Sequence, residues 1–368
     1  MKIMVSAGEV SGDVHGSYLV KELKKLRPDL AFFGLGSERL AEAGVDIRFD
    51  IIKRGSIGIL EALPNVFPLF SIFRKVKKLV LAEKPDLVIL IDSQGINLPL
   101  AKFCKAVGIK TVYYIAPQEW LWGTPRGVKH VAQIVDLIVA IFPREYEAYK
   151  AAGANVIYEG HPLIDIVQAP QPLSPRSPSP RISLCPGSRM QEIGGLLPIL
   201  LKAGELIKKE LPDAEFLIPV SSRNLFQEIF ALVGDFRPMA VFGKTYETLA
   251  SSNLAICTSG TINFEASLLG VPNIMTYKLS RLTYWAGKYI LKIDRKIKYF
   301  CMPNILMDNL VIPELVMENA TAEKIAQEAL AILRDTQRQE KMKKEFVKLK
   351  GELGRPGMIG RIAKSILA

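Results

Sequence analysis

The stretch Asp86-Leu87-Val88-Ile89-Leu90-Ile91-Asp92 sets five consecutive apolar residues between two aspartates. A short apolar run with no polar alternation suits a strand buried on both faces, and such strands belong to parallel sheets covered by helices. Working outward, the same kind of run recurs as KIMVSA from Lys2, LAFFGL from Leu30, KTVYYIA from Lys110, LIVAIF from Leu137 and NVIYEG from Asn155. In the second half it returns as RISLCPG from Arg181, AEFLIPV from Ala214, MAVFGK from Met239, NLAICTS from Asn253 and NIMTYK from Asn273. Helical patterns lie between several of these runs: Gly16–Arg27 and Val76–Glu83 in the first half, Leu196–Glu210, Phe226–Val233 and Ile262–Leu269 in the second. Strand–helix alternation in both halves predicts an α/β fold of two doubly wound parallel sheets. Ligands are then expected beyond the carboxyl ends of the strands.

Between the halves stands Ala169–Pro180, APQPLSPRSPSP, with five prolines. Proline removes amide donors and holds the chain extended, which suits a semi-rigid linker. The expected division is therefore a first domain over 1–168, a linker over 169–180 and a second domain over 181–335. The tail beyond Thr321 reads as helical and basic.

Composition narrows the function. The chain has 368 residues, 49% apolar and 23% charged, which excludes disordered and low-complexity classes. Cys104, Cys185, Cys257 and Cys301 lie far apart, as do His15, His130 and His161. The cysteines read as reduced thiols of a cytosolic protein, and no metal-ligand spacing is present. Lys and Arg number 48 against 37 Asp and Glu, a net charge of +11 that favours an anionic partner. The apolar run before Glu9 is too short for a signal peptide, and no uncharged run reaches the length of a membrane span.

The chemistry-bearing residues sit where strands end. After the first strand, Ser6-Ala7-Gly8-Glu9-Val10-Ser11-Gly12-Asp13-Val14-His15-Gly16 spaces its glycines by four, unlike a dinucleotide loop. Gly34-Leu35-Gly36 also lacks the third glycine, so a nicotinamide enzyme is disfavoured. The first loop is either a tight turn capped by Ser11 or a floor for a sugar or phosphate, with Gly12 allowing close approach. Asp92, at a strand's carboxyl end, stands where a general base belongs; the structural alternative is a helix cap by Asp92 or Ser93. Gln118 and Glu119 beside Trp120 and Trp122 form either a sugar-binding patch or a packed corner.

In the second half, Cys185-Pro186-Gly187-Ser188-Arg189 precedes a long helix. Amides at a helix start, a small turn of Gly187 and Ser188, and the cation of Arg189 make a diphosphate cradle; a surface ion pair is the plainer account of the arginine. Ser259, Gly260 and Thr261 repeat that logic after another strand, and Glu265, one turn on, can accept from ribose hydroxyls. A capping pair is the alternative there. Two surfaces remain. Ile59–Phe73, a greasy segment followed by Arg74-Lys75-Val76-Lys77-Lys78, has the make-up of an interfacial membrane anchor. Lys278–Lys298 interleaves basic and aromatic residues, suiting an anionic membrane, a single-stranded nucleic acid or simply a solvated helix face.

In order along the chain, AGEVSGDVHG, ID-x(4)-N, YYIAPQEWLW, EGHPL, PGSR-x(2)-EI, SGT-x(3)-EA and MPN-x(7)-IPEL resemble lipid A disaccharide synthase, from residue 3 to about 320. The resemblance implies a GT-B architecture of two Rossmann-like domains, with C-terminal helices over 336–368 packing back on the first. It implies an inverting glycosyltransferase that joins UDP-2,3-diacylglucosamine to 2,3-diacylglucosamine 1-phosphate (lipid X), giving a β(1→6) disaccharide and UDP. Asp92 matches the family's general base and Arg189 its diphosphate-neutralising arginine. Ser259, Gly260, Thr261 and Glu265 match the donor loop, and Asn304 and Glu314 the later motif facing it. Gly12 and the Ser11 loop would face the acceptor, and Gln118 and Glu119 stand as further substrate-binding candidates.

No cofactor, metal or nucleic acid is implied. The expected location is cytoplasmic, peripheral on the inner face of the bacterial inner membrane through Ile59–Phe73 and the basic patches, with a homodimer left open. Two departures stand out. The family's ID-x-PDFN reads here Gln94-Gly95-Ile96 before Asn97, so its second aspartate is gone, and Met317 replaces a glutamine after IPEL. The competing readings are a UDP-sugar epimerase or another UDP-hexosamine transferase, and a non-catalytic basic protein that binds nucleic acid or membrane.

Overall fold

The computed structural model describes residues 1–51, 66–121, 123–168, 170–173, 179–188, 190–220, 223–234, 236–278 and 298–368. Two compact units are present: Met1–Ile166 with Leu353–Ala368, and Val167–Glu352.

The first unit holds seven strands: β1 (Lys2–Ala7), β2 (Ala31–Leu35), β3 (Asp46–Phe49), β4 (Leu87–Ile91), β5 (Lys110–Tyr114), β6 (Leu137–Ala140) and β7 (Val156–Tyr158). They pair in the order β3-β2-β1-β4-β5-β6-β7, every pair parallel. The second unit holds β8 (Arg181–Cys185), β9 (Glu215–Val220), β10 (Met239–Phe242), β11 (Leu254–Thr258), β12 (Asn273–Tyr277) and β13 (Glu314–Val316). Their order is β10-β9-β8-β11-β12-β13, again parallel throughout.

In each sheet the strand order reverses once, between β1 and β4 and between β8 and β11. At such a switch point the connections leave in opposite directions and open a crevice beyond the strand ends. The segments that border these crevices are the glycine-rich loop after β1, Asp92 after β4, the Pro186–Ser188 turn after β8 and the Ser259–Thr261 turn after β11.

Both cores form as the apolar runs require. Met4, Val88, Leu90 and Tyr113 pack with Val76, Val80, Leu100 and Cys104 from helices covering the first sheet. In the second unit Ile182, Leu184, Ile218, Ile256 and Ile274 pack with Leu197, Leu200, Ile325 and Ala329. All four cysteines are buried and unbridged.

Three expectations are corrected. The first helix runs Val10–Leu26 and so begins inside the glycine-rich motif, with Ser11 in its first turn and not capping it. The helix lies so close to β4 that a Cβ on Gly12 would sit 3.4 Å from the Ile91 carbonyl, and the glycine makes that approach free of strain. Secondly, β3 and β13 are strands that the sequence concealed, because Asp46-Ile47-Arg48-Phe49 alternates charged with apolar residues and Glu314-Leu315-Val316 is only three residues long. Thirdly, the tail divides. Helix Thr336–Glu352 stays with the second unit, where Met342 and Phe346 enter its core. Only Leu353–Ala368 joins the first unit, where helix Met358–Leu367 packs on Val10–Leu26. Asp165 caps that last helix by accepting the amides of Gly357 (2.6 Å) and Ile359 (2.8 Å).

Candidate active-site loops

Asp92 is half-buried at the end of β4. It and Ser93 both adopt left-handed backbone, φ +49° and +48°, to turn the chain sharply into helix Gln94–Ala106. Such a conformation costs about 1–2 kcal/mol per non-glycine residue and persists only where neighbours hold it. Here the hold is explicit. The Asp92 carbonyl accepts from the Asn97 amide nitrogen and from the Tyr113 hydroxyl, each at 2.8 Å. Ser93 Oγ accepts the Gly8 amide at 3.0 Å and so ties the β1 loop to the β4 loop. Ser93 occupies the cap position of that helix without a side-chain capping bond.

Asn97 is fully buried and works as a staple across the switch point. Its Oδ1 accepts from Ser6 Oγ at 2.6 Å, and its amide nitrogen also reaches the carbonyls of Ser6 (3.2 Å) and Ile91 (3.1 Å). Asp13 is likewise structural. It is buried and accepts the amides of Ser37 (2.6 Å) and Arg39 (2.9 Å) at the start of helix Glu38–Glu42. Burial raises its carboxyl above the usual range, against the pull of those amides.

The loop after β5 is braced from below. Gln118 accepts the Trp120 indole N–H at 2.6 Å, and the Glu119 carboxylate lies toward Gly123, Thr124 and Gly127 at the start of helix Pro125–Ile134. These contacts shape the loop. Trp122 lies outside the described residues. Tyr149 donates to the Pro117 carbonyl at 2.8 Å, and the Phe142 ring stands between Trp120 (5.9 Å) and His161 (4.9 Å).

Beside this loop Glu145 is completely buried, accepting the amides of Ile141 (2.7 Å) and Phe142 (3.3 Å) while its second oxygen has no hydrogen-bond partner among the described residues. Burial pushes its carboxyl up to about 8, with the two amides opposing. The native state therefore keeps a proton that the unfolded chain has already lost above the ordinary glutamate pKa of 4.5. Its contribution to stability is fully present below that pKa and is lost as pH rises towards about 8. Glu145→Gln, which stays neutral, is expected to flatten the fall of Tm between pH 5 and 8; thermal melts across that range check this, and an unchanged slope contradicts it.

In the second unit, Gly187 (φ +118°) and Gly260 (φ +145°) form the turns beyond β8 and β11. Gly260 occupies the cap position of helix Thr261–Leu268 with no side-chain cap and with open space around its α-carbon. The cap reading of Ser259 or Thr261 is thus replaced by an open helix start, whose amides can take an anion. Ser188 is exposed at the other turn, before helix Met190–Glu210. Arg189 lies outside the described residues, as do 59–65 of the greasy segment and 279–297 of the basic–aromatic run.

Glu265 is half-buried and accepts from the Tyr246 hydroxyl at 3.2 Å. Burial pushes its carboxyl up to about 7, only partly opposed by that hydrogen bond. Asn304 spends both amide hydrogens on the Ile312 carbonyl and Glu314, and its Oδ1 on the amides of Val311 and Ile312. Glu314 accepts the amides of Phe300 and Cys301 at 2.9–3.0 Å. The pair shapes the turn into helix Met302–Met307, and Asn304 has no hydrogen-bonding capacity left for a substrate.

At the end of the greasy segment, Ile72 and Phe73 on helix Val66–Glu83 pack against the first core, and Lys77 lies over the Phe73 ring at 5.2 Å. Arg74, Lys75 and Lys78 are exposed. Among the described residues no helix is long and apolar enough to cross a membrane.

The residues that the sequence overlooked are the ones that hold others. Asn97 lies within a quoted motif but its stapling role has no local signal, and Tyr113 and Tyr246 read simply as strand and helix aromatics. Glu145 did have one: a proline opening a helix with glutamate at its third position is a helix-start pattern.

A family model described as lipid-A-disaccharide synthetase matches residues 3–358. The lipid-A-disaccharide synthase of Gloeothece citriformis (strain PCC 7424) is 37% identical over 383 residues, covering 100% of this chain and 99% of its own. Among solved structures, the UDP-GlcNAc 2-epimerase from Neisseria meningitidis bound to UDP-GlcNAc aligns with TM-score 0.65 at 14% identity over 100% of this chain and 98% of that one. Spinosyn rhamnosyltransferase SpnG aligns with TM-score 0.58 at 14% identity over the whole of both chains. At such identities the structural likenesses carry the fold alone, and that fold is the GT-B class of paired Rossmann-like sheets.

Proposed function

This chain belongs to the lipid-A-disaccharide synthase family and is a hexosyltransferase of lipid A biosynthesis, and from that premise we propose its finer reaction and the residues that carry it. The substrates are UDP-2,3-diacylglucosamine as donor and 2,3-diacylglucosamine 1-phosphate (lipid X) as acceptor, and the products are the β(1→6) disaccharide 1-phosphate and UDP. The observation that supports this reading most is the family match over residues 3–358, a span that takes in the loops bordering both switch points.

Asp92 takes the proton from the acceptor's 6-hydroxyl as its oxygen attacks the anomeric carbon of the donor. The bond from that carbon to the diphosphate oxygen breaks on the opposite face, so configuration inverts, and UDP leaves with the electron pair. General-base assistance of this kind is worth roughly 10²–10⁴-fold. The amides beyond Gly187 and Gly260, with Arg189, meet the charge that grows on the departing diphosphate. Ser188, Ser259 and Thr261 supply hydroxyls there, and Glu265 receives the ribose. Ser11, Gln118 and Glu119 border the acceptor, while Gly12 lets the first helix lie close on β4 beneath them.

Both substrates carry acyl chains, which belong in a bilayer. Work at the cytoplasmic face of the inner membrane, with Ile59–Phe73 and the exposed Arg74, Lys75 and Lys78 against anionic lipid, fits the net charge of +11. The test is the dependence of UDP release on acceptor. With purified protein and donor in detergent micelles, UDP is expected to accumulate only when lipid X is added. Release that is equally fast without it would contradict this reading.

A further inference from the structure

We propose that the Tyr113 hydroxyl is a positioning group for Asp92, holding the left-handed backbone that presents the aspartate at the carboxyl end of β4. The inference rests on the reading of Asp92 as the general base.

Tyr113 lies on β5, opposite Leu90 of β4, with its side chain wholly inside the first core. Phenylalanine would fill an apolar core site equally well. The hydroxyl has one visible use, the 2.8 Å bond to the Asp92 carbonyl. Its neighbour Tyr114 is just as buried, yet the Tyr114 hydroxyl has no hydrogen-bond partner among the described residues. The Tyr113 bond therefore does not arise merely from placing a tyrosine at this end of the sheet.

The bonded atom matters. The orientation of the Asp92 carbonyl is set by the torsions on either side of the Asp92–Ser93 peptide, and both residues are in the left-handed region. Freed from its donors, that peptide relaxes towards ordinary torsions and swings the Asp92 Cα–Cβ bond with it. Asn97 also donates to this carbonyl, but its two amide hydrogens are shared among the carbonyls of Ser6, Ile91 and Asp92. Tyr113 is the dedicated donor. Burial raises its hydroxyl pKa well above the ordinary value, so it remains a donor throughout the working pH range.

The test is a double-mutant cycle on the full chain with donor and lipid X in micelles. A misplacement of about 1 Å costs ~10²-fold in rate, and a partial relaxation is expected to cost Tyr113→Phe about tenfold in kcat. Both KM values should stay within about twofold, because substrate binding is not the affected step. In the Asp92→Asn background the same change should lower the residual rate by less than about twofold, since residues acting as one unit are non-additive. Equal losses in both backgrounds would overturn the inference, because the tyrosine would then act without the aspartate. A silent Tyr113→Phe beside a crippled Asp92→Asn would remove this inference alone, whereas a fully active Asp92→Asn would remove the base reading and this inference together. If the residual rate is too slow to follow, the KM–kcat split decides: a loss confined to kcat upholds the assignment, and a loss carried by KM overturns it.

Discussion

Asp92→Asn is expected to lower kcat by ~10²–10⁴-fold while leaving UDP affinity within about twofold. The substitution is unusually clean here. Asparagine tolerates positive φ as well as aspartate does, so the turn at φ +49° need not rearrange. The backbone carbonyl at this position, which receives the Asn97 and Tyr113 hydrogen bonds, is the same atom in the variant. What changes is the basicity of the side chain. Steady-state kinetics paired with a calorimetric UDP titration separate the outcomes, and near-native turnover would show that another group takes the proton. The missing second aspartate sharpens the test: Gly95 stands in its place, exposed and with open space around it.

The second large effect is expected on the donor side. Gly260 has φ +145° and ψ −155°, a region that only glycine occupies without strain, which for other residues costs about 1–3 kcal/mol. In Gly260→Ala either that strain remains or the turn relaxes and its amides leave the line of the diphosphate. A loss of that size corresponds to a UDP affinity reduced by about 10- to 100-fold. No atom stands within 4 Å of the added methyl, so the chain should still fold, with Tm lower by several degrees. Unchanged UDP affinity with a lowered Tm would mean that the turn is structural and that the nucleotide binds elsewhere.

The strand–helix alternation was plain in the sequence because strands buried on both faces must be continuously apolar, as Leu87–Ile91 is and as Leu254–Thr258 is up to its last residue. From that follow the parallel sheets, and from the loops at their carboxyl ends the candidate residues. The edge strands Asp46–Phe49 and Glu314–Val316 were hidden, since the first alternates charged with apolar residues and the second is only three residues long. Helix starts were read late where glycine masks propensity: Val10–Leu26 carries Gly12 and Gly16 for close packing on β4, not for a loop. Harder still was telling a residue that touches substrate from one that shapes the loop beside it. Asn304 carries a motif signal as strong as Asp92, yet all its hydrogen bonds close within its own turn. That difference lies in which way each side chain turns and what it bonds, and residue type and spacing do not encode it.

The reaction stands or falls on a new sugar-to-sugar bond. The most direct measurement is mass spectrometry of the lipid products after purified protein, UDP-2,3-diacylglucosamine and lipid X are incubated in detergent micelles. A disaccharide 1-phosphate bearing four acyl chains is expected, formed in equal amount with UDP. Unchanged lipid X beside an altered or epimerised donor would contradict it.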